Sequence, residues 1–511
     1  MKTTVRIFYN TVALYVKMFV TTAISLYLTR VVLNALGTDD FGLYSLIGGV
    51  IVLLSFLNSA LMISTQRYLS VAMGEDELQK VKNIYTSSVI IHWGFCVILV
   101  IILEFCSLFL FDGFLNIQVS RMDAAKIVYQ LMVFSTVITV IGVPYNSVIN
   151  ANEDLWYFAV VETITAIFKI GILVVFYFSI GDALITYTLW MFIVSVLNFL
   201  LKYIWCKKKY QECKLNIYSW SSNKKTIKEM LSFTGWNAFG SLALIGRNQG
   251  VAVLLNIFWG TGINAVYGIA NQVNGQLIYF STMMTTSMAP QIMKSKGEGN
   301  NSRMLKLSFL TSKTAFFLSA IFAIPLLIEF PFVLKLWLKT VPDYVEVYCS
   351  LMVFMFLVMQ LYPGITRAIQ ACGKIKWYQI LTSVFLLLPI PCGVLLYKMG
   401  YPNYAVVYAM IVSQVLQMVI AVVLAKKLVK LDSTLFVLYV LKSIAIFSLV
   451  LFLGHILHSA LIIYYGDIVT FFTVVFVTML LFSVLYFFFV FNDEERTKLV
   501  ETIKDIICRG N

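Results

Sequence analysis

The sequence predicts an all-α polytopic membrane protein with about 14 transmembrane helices. Three observations predict it: an apolar composition, a series of long apolar segments, and an internal repeat that sorts those segments into two sets of six with two left over. Of 511 residues, 60% are hydrophobic and 12% are charged, against about 45–50% and about 25% in soluble proteins. Mean hydropathy is +0.87. So few charges do not clothe a 58 kDa soluble particle, which excludes a soluble enzyme, a disordered chain and a nucleic-acid-binding domain.

A spanning helix needs about 20 mostly apolar residues. The segments that meet this standard are 11–36, 41–64, 84–111, 124–149, 155–180, 182–205, 231–257, 264–290, 307–330, 345–370, 376–398, 402–425, 439–461 and 465–491. They are continuous, whereas the strands of a membrane barrel are segments of about ten alternating residues. The first carries Lys17 and no small-residue cleavage site, so it reads as a retained helix and not a signal peptide. The eight cysteines are scattered with no C-x-x-C pair, which argues against a disulfide framework or a zinc site.

Sidedness follows from the basic residues. With the N-terminus inside, 27 loop Lys and Arg fall on the inner side, eight of them between Lys202 and Lys228. Four fall outside: Arg121, Lys335, Lys339 and Lys398. The positive-inside rule puts both termini in the cytoplasm. It also accounts for most of the net charge of +13 without nucleic acid, the 202–228 lysines being a solvated loop near anionic headgroups.

The repeat is read from LGTDDFGLYSLIGGV at Leu36 and WGTGINAVYGIANQV at Trp259. At an offset of 223, eight of the 40 positions from Leu36 to Glu75 are identical, among them Gly37/Gly260, Thr38/Thr261, Tyr44/Tyr267 and Ser64/Ser287. A second match aligns Pro144 with Pro363 and Trp156-Tyr157 with Trp377-Tyr378. Helices one to six thus repeat as seven to twelve. Six is even, so both lobes run the same way about a pseudo-twofold axis normal to the membrane. The expected division is an N-lobe at 1–205, a basic cytoplasmic loop at 206–230, a C-lobe at 231–425, and helices 13 and 14 with a cytoplasmic tail at 426–511.

Two six-helix lobes, two further helices, the LGTDDFGLYSLIGGV run, the basic loop after helix six and PGITRAIQACGKIKWY at helix ten together resemble the multidrug/oligosaccharidyl-lipid/polysaccharide exporter superfamily. Within it the chain looks like the bacterial polysaccharide-biosynthesis flippases of the O-antigen (Wzx) type. The resemblance implies a monomer of the inner membrane that moves a polyprenyl-pyrophosphate-linked oligosaccharide to the periplasmic leaflet, with lobes that open alternately to each side. The partners implied are that substrate and membrane lipid.

Charges inside the predicted spans each need a reason, since one at the bilayer centre costs about 2.5–3.5 kcal/mol on insertion scales. Arg247 is midway through helix seven and Lys169 midway through helix five. Lys17 lies in helix one, Lys313 two turns into helix nine, and Arg30 near the outer end of helix one. Lys313 and Arg30 are placed to snorkel to an interface, and Lys17 either snorkels or lines a cavity. Lys169 stands seven residues from Glu162, on one helix face, so the two are candidates for an ion pair. Arg247 is too deep to snorkel and is expected to line a polar cavity between the lobes. Read together for function, Arg247, Lys17, Lys169, Lys313 and Arg30 form a cationic substrate site. Thr21, Ser25, Asn271 and Asn274 line it, and Glu162 is the carboxylate available for ion coupling. Hydrogen bonding between helices is the alternative use of the polar stripes.

No nucleotide, metal or other cofactor is expected. Gly373-Lys374 lacks the upstream glycine and following Ser/Thr of a phosphate loop, and His455 and His458 have no evident third ligand. The sequence thus points away from an enzyme. Interior charge separates the remaining readings: an exporter of organic cations needs buried carboxylates, whereas a pyrophosphate needs Arg or Lys. The basic interior favours the flippase over a cation-coupled multidrug exporter. A non-transporting subunit of a polysaccharide synthase stays open.

Overall fold

The computed structural model describes residues 3–52, 55–111, 117–178, 181–214, 220–338, 340–497 and 501. The cations assigned above at Lys2, Lys339, Lys498, Lys504 and Arg509, and Cys508, lie outside these residues. Among the described residues there is no strand. The helices are α1 Thr3–Val52, α2 Ser55–Gly74, α3 Leu78–Phe109, α4 Met122–Ala151, α5 Leu155–Ile170, α6 Ile172–Phe178, α7 Ala183–Lys209 and α8 Trp220–Gly297. They continue with α9 Asn301–Ile328, α10 Phe330–Leu338, α11 Val345–Gln360, α12 Pro363–Cys372, α13 Lys376–Leu387, α14 Pro389–Lys398, α15 Ala405–Val429, α16 Ser433–Leu461 and α17 Asp467–Phe489.

Eleven helices among the described residues are long and apolar enough to cross a membrane, or twelve if the bent pair α11–α12 is one span. The chain is a multi-pass membrane protein. The sequence led us to expect about 14, and the difference is a matter of where helices are cut. Lys224–Gly297 counts once although it is 74 residues long, about 110 Å if straight, against a hydrocarbon core of about 30 Å. It holds predicted helices seven and eight. Predicted helix two falls on 38–52 and α2, with residues 53–54 outside the description.

Both long helices break at a glycine. Gly37 in α1 has φ 76° and ψ 174°, and Gly260 in α8 has φ 79° and ψ −174°. This region of backbone space is essentially open to glycine alone. A Cβ at either position would meet no atom within 4 Å, so the requirement is conformational and not one of space. These are the two glycines that the repeat superimposes. The prolines behave unequally: Pro144 lies inside α4 and Pro325 inside α9, whereas Pro363 opens α12 after a 45° bend and Pro389 opens α14. Helix starts use side-chain caps where the chain supplies them. Asp182 accepts from Leu184 N at 3.0 Å, Asn300 from Arg303 N at 2.9 Å, and Asp432 from Thr434 N at 2.9 Å.

The helices turn apolar side chains both inward and outward, as a lipid solvent allows. On α3, Cys96, Leu99 and Leu103 are buried while Val97, Ile101, Phe105 and Leu108 are exposed. The described residues form two compact units, Phe8–Ala238 and Met1–Ile7 with Phe239–Asn511. In the second, a Cβ on Gly364 would fall 1.9 Å from Ser308 O, so α9 and α12 touch backbone to backbone there, and Gly364 N donates to Ser312 Oγ at 3.1 Å. A Cβ on Gly454 would meet Ile328 Cδ1 at 2.4 Å, which seats α16 closely against α9.

Candidate functional site

The first unit contains a polar cavity of about 480 Å³. Four helices line it, α1 through Tyr44 and Gly48. α5 presents Phe158, Glu162, Thr165 and Lys169, spaced four, three and four apart and so on one face. α7 presents Thr188, Ser195, Asn198 and Lys202, and α4 presents Ser135, Thr136, Thr139 and Asn146. Lys202 Nζ lies 2.7 Å from Glu162 Oε1, and Asn198 Nδ2 donates to the same oxygen at 3.0 Å. The Lys202 side chain is 4% exposed. Its ammonium is 4.6 Å from the centre of the Phe158 ring, and that of Lys17 is 5.4 Å from the same ring. Lys17 also acts electrostatically on Glu162 and on Lys202.

The expected pairing of Glu162 with Lys169 is therefore corrected to Glu162 with Lys202. Seven residues along one helix is a rise of about 10 Å, whereas Lys202 comes from the helix opposite. Lys202 was counted with the cytoplasmic loop lysines because it stands five residues before Lys207-Lys208-Lys209. α7 runs on to Lys209 and carries it inside. The signal available in the sequence was the polar face Asn198–Lys202, four residues apart. Lys169 lines the same cavity and forms no ion pair or hydrogen bond among the described residues.

Arg247 belongs to the second unit, on α8, and is 6% exposed. Its Nε and Nη2 donate to Asn248 Oδ1 at 3.1 and 3.0 Å. Tyr267 and Tyr362 lie near it. No carboxylate pairs with it among the described residues. The glycines on its face meet protein: a Cβ on Gly240 would lie 2.3 Å from Gln379 Oε1, and one on Gly250 would lie 2.5 Å from Ile390 Cδ1. The close approach that these glycines allow is thus used by α13 and α14.

The other candidates are dispersed. Lys313 is buried in α9 and ion-paired at 2.6 Å with Glu495 of the C-terminal segment; it does not snorkel. Arg30 is exposed. Thr21 donates to Met18 O at 3.1 Å, and Ser25 is exposed. Asn271 is half-buried, while Asn274 is buried with an Oδ1 that has no partner among the described residues. His458 Nδ1 lies 2.8 Å from Glu329 Oε1, and no cluster of His, Cys, Asp and Glu suited to a metal occurs among the described residues.

No family model and no curated protein matches the sequence. Solved structures do. A MATE protein in its bent conformation is 14% identical with a TM-score of 0.73, over 84% of this chain and 98% of that one. An outward-facing multidrug resistance transporter of the MATE family and MOP superfamily is 15% identical with a TM-score of 0.69, over 83% and 95%. The chain has the MATE fold. A MOP superfamily transporter from Pyrococcus furiosus, described as having a binding pocket of reversed polarity, is 15% identical with a TM-score of 0.68, over 83% and 95%. At such identities the likeness is one of fold.

Within this MATE fold the first unit also carries an ion triad that the sequence did not announce. Arg121, just before α4, donates from Nε to Asp40 Oδ1 at 2.8 Å, from Nη2 to Asp40 Oδ2 and from Nη1 to Asp182 Oδ2. Asp182 is at the same time the N-cap of α7. Burial raises the Asp182 pKa, but the Arg121 guanidinium and two backbone amides outweigh it and hold the carboxyl below its ordinary value. Hydrogen bonds to Asp40 and Asp182 hold the Arg121 guanidinium above its own.

Proposed function

We propose that the protein is a flippase that carries a polyprenyl-pyrophosphate-linked oligosaccharide from the cytoplasmic to the periplasmic leaflet of the inner membrane, by alternating access, for surface polysaccharide synthesis. One observation carries the reading: Arg247, buried deep in α8, has a neighbouring amide but no carboxylate among the described residues. A planar guanidinium with unmet charge suits phosphate oxygens, which accept two parallel hydrogen bonds from it. The first unit adds an excess of positive charge for an anionic cargo: its cavity holds Lys169 and the Lys202–Glu162 pair, with Lys17 near Phe158.

The exporter reading needs a free buried carboxylate for an organic cation or a coupling ion. Glu162 is the candidate, and Lys202 and Asn198 already occupy one of its oxygens. The Pyrococcus furiosus protein is a precedent within the superfamily, since the reversed polarity of its pocket suggests a different function there. The lobes at 1–205 and 231–425, and the cytoplasmic placement of both termini, belong to the same proposal.

Purified protein in liposomes tests it. The expected outcome is protein-dependent movement of a lipid-linked oligosaccharide between leaflets. No movement, together with ion-driven export of an organic cation, would overturn it. For the orientation, cysteines introduced at Ser221 and Asn511 should be shielded from an impermeant thiol reagent in intact cells, and labelling of either would reverse the assignment.

A further inference from the structure

The Ser and Thr hydroxyls of the first unit's cavity share one hydrogen-bonding polarity. A hydroxyl group has one hydrogen to donate and two lone pairs to accept. Tyr44 and six Ser and Thr hydroxyls line the cavity, and each of the six donates its hydrogen to a carbonyl of its own helix. Ser135 donates to Leu131 O at 2.9 Å, Thr136 to Met132 O at 2.8 Å and Thr139 to Ser135 O at 2.9 Å. Thr165 donates to Val161 O at 3.0 Å, Thr188 to Leu184 O at 2.9 Å and Ser195 to Phe192 O at 2.7 Å. What these six retain is acceptor capacity, part of which Asn198 uses at Thr165 Oγ1, 3.3 Å away. Against this wall stand two cations. Lys202 is engaged by Glu162, and Lys169 is not engaged by any described group.

A ligand that matches must donate several hydrogen bonds and carry one negative charge for Lys169. A pyrophosphate fails the first condition, because as a diester it has acceptors and no donors. An organic cation fails the second, because the cavity charge of Lys169, Lys202 and Glu162 sums to a net positive one. A sugar ring bearing one carboxylate meets both, with its hydroxyls donating to the wall and its carboxylate on Lys169. The volume of about 480 Å³ lies within the range of small-molecule sites, about 300–1,000 Å³.

We propose that this cavity is a subsite for an acidic sugar residue, selected by the acceptor wall of α4, α5 and α7 and by Lys169. The inference rests on the flippase reading for its biological context but concerns binding alone. The test therefore uses the full-length purified protein and four small probes followed by saturation-transfer NMR: glucuronate, glucose, acetate and inorganic pyrophosphate. Glucuronate should bind about tenfold more tightly than either glucose or acetate, and pyrophosphate should not compete with it. Lys169→Met should bring glucuronate down to the level of glucose, with Lys169→Arg restoring part of the difference. Ser135→Ala with Thr139→Val should weaken both sugars and leave acetate unchanged, a contrast that a misfolded variant would not give. Pyrophosphate or acetate binding as tightly as glucuronate would make the cavity a plain anion site and overturn the proposal, while leaving flipping intact. A liposome assay that shows no flipping, with glucuronate still bound through Lys169, would overturn the functional reading and not this one.

Discussion

Lys202 and Arg247 are both buried in membrane-spanning helices, and they are satisfied in different ways. Lys202 has a carboxylate at 2.7 Å from the facing helix and an aromatic ring beneath it. Arg247 has the amide of the next residue on its own helix. The first charge is balanced within the fold, and removing either partner leaves the other stranded. The second is hydrogen-bonded but not neutralised by a carboxylate among the described residues, and on the flippase proposal its partner is an anion of the cargo. A buried ion pair is thus read as architecture and a buried lone cation as a binding group.

The largest expected effect comes from Arg247. Arg247→Ala should lower transport at least about 100-fold with membrane expression intact, since a charge-assisted bidentate contact to phosphate is lost. Arg247→Lys should keep part of the activity, because charge survives without the planar fork. Normal transport by Arg247→Ala would make both buried cations structural and erase the contrast. The Lys202 site should instead answer in stability. Glu162→Gln should destabilise by about 3 kcal/mol, the low end for breaking a buried pair, because the Glu162 side chain is 26% exposed. The double variant Glu162→Gln with Lys202→Met should recover most of that in a thermal unfolding assay. If it recovers nothing, the pair is not a unit.

The two glycine breaks sharpen the comparison between halves. Gly37→Ala and Gly260→Ala should each cost about 1–3 kcal/mol through backbone strain alone, and unequal values would mean that the repeated turns carry different loads. The smallest effect is that of the Arg121 triad. Asp182 has a lowered folded pKa, so its contribution is present above the ordinary aspartate value of about 3.9 and is lost as pH falls through the lower folded value. With side chains 27–28% exposed, this should amount to less than about 1 kcal/mol. It should vanish from the acid limb of the stability profile in Asp182→Asn.

The legible features were those written locally. Gly37 and Gly260 stood in matching G-T pairs, and both proved to be the points where a long helix turns. Apolar length placed the spans, and depth along the chain placed Arg247 inside. What was not legible joins distant positions. Lys313 finds Glu495, 182 residues away, and a snorkelling lysine and a paired one have the same local sequence. Lys202 was hidden by its neighbours, because a lysine beside three others reads as loop whenever the helix end is drawn a turn too early. The acceptor wall was beyond reach for another reason. Which way a Ser or Thr hydroxyl points depends on its rotamer against the preceding turn, and the six cavity residues could equally have faced their hydrogens inward.

The central claim is that the cargo is anionic and crosses without compensating charge. A pyrophosphate diester carries about two charges, and moving them outward with the inside negative is worth about 2.3 kcal/mol per charge per 100 mV, or about 4–5 kcal/mol. The direct measurement is flipping of a lipid-linked oligosaccharide in vesicles with an imposed potential and no pH or sodium gradient. The account predicts that a potential negative on the donor side drives flipping and that the reversed potential suppresses it. Flipping that ignores the potential and starts only when a proton or sodium gradient is added would contradict it and make Glu162 the leading coupling group.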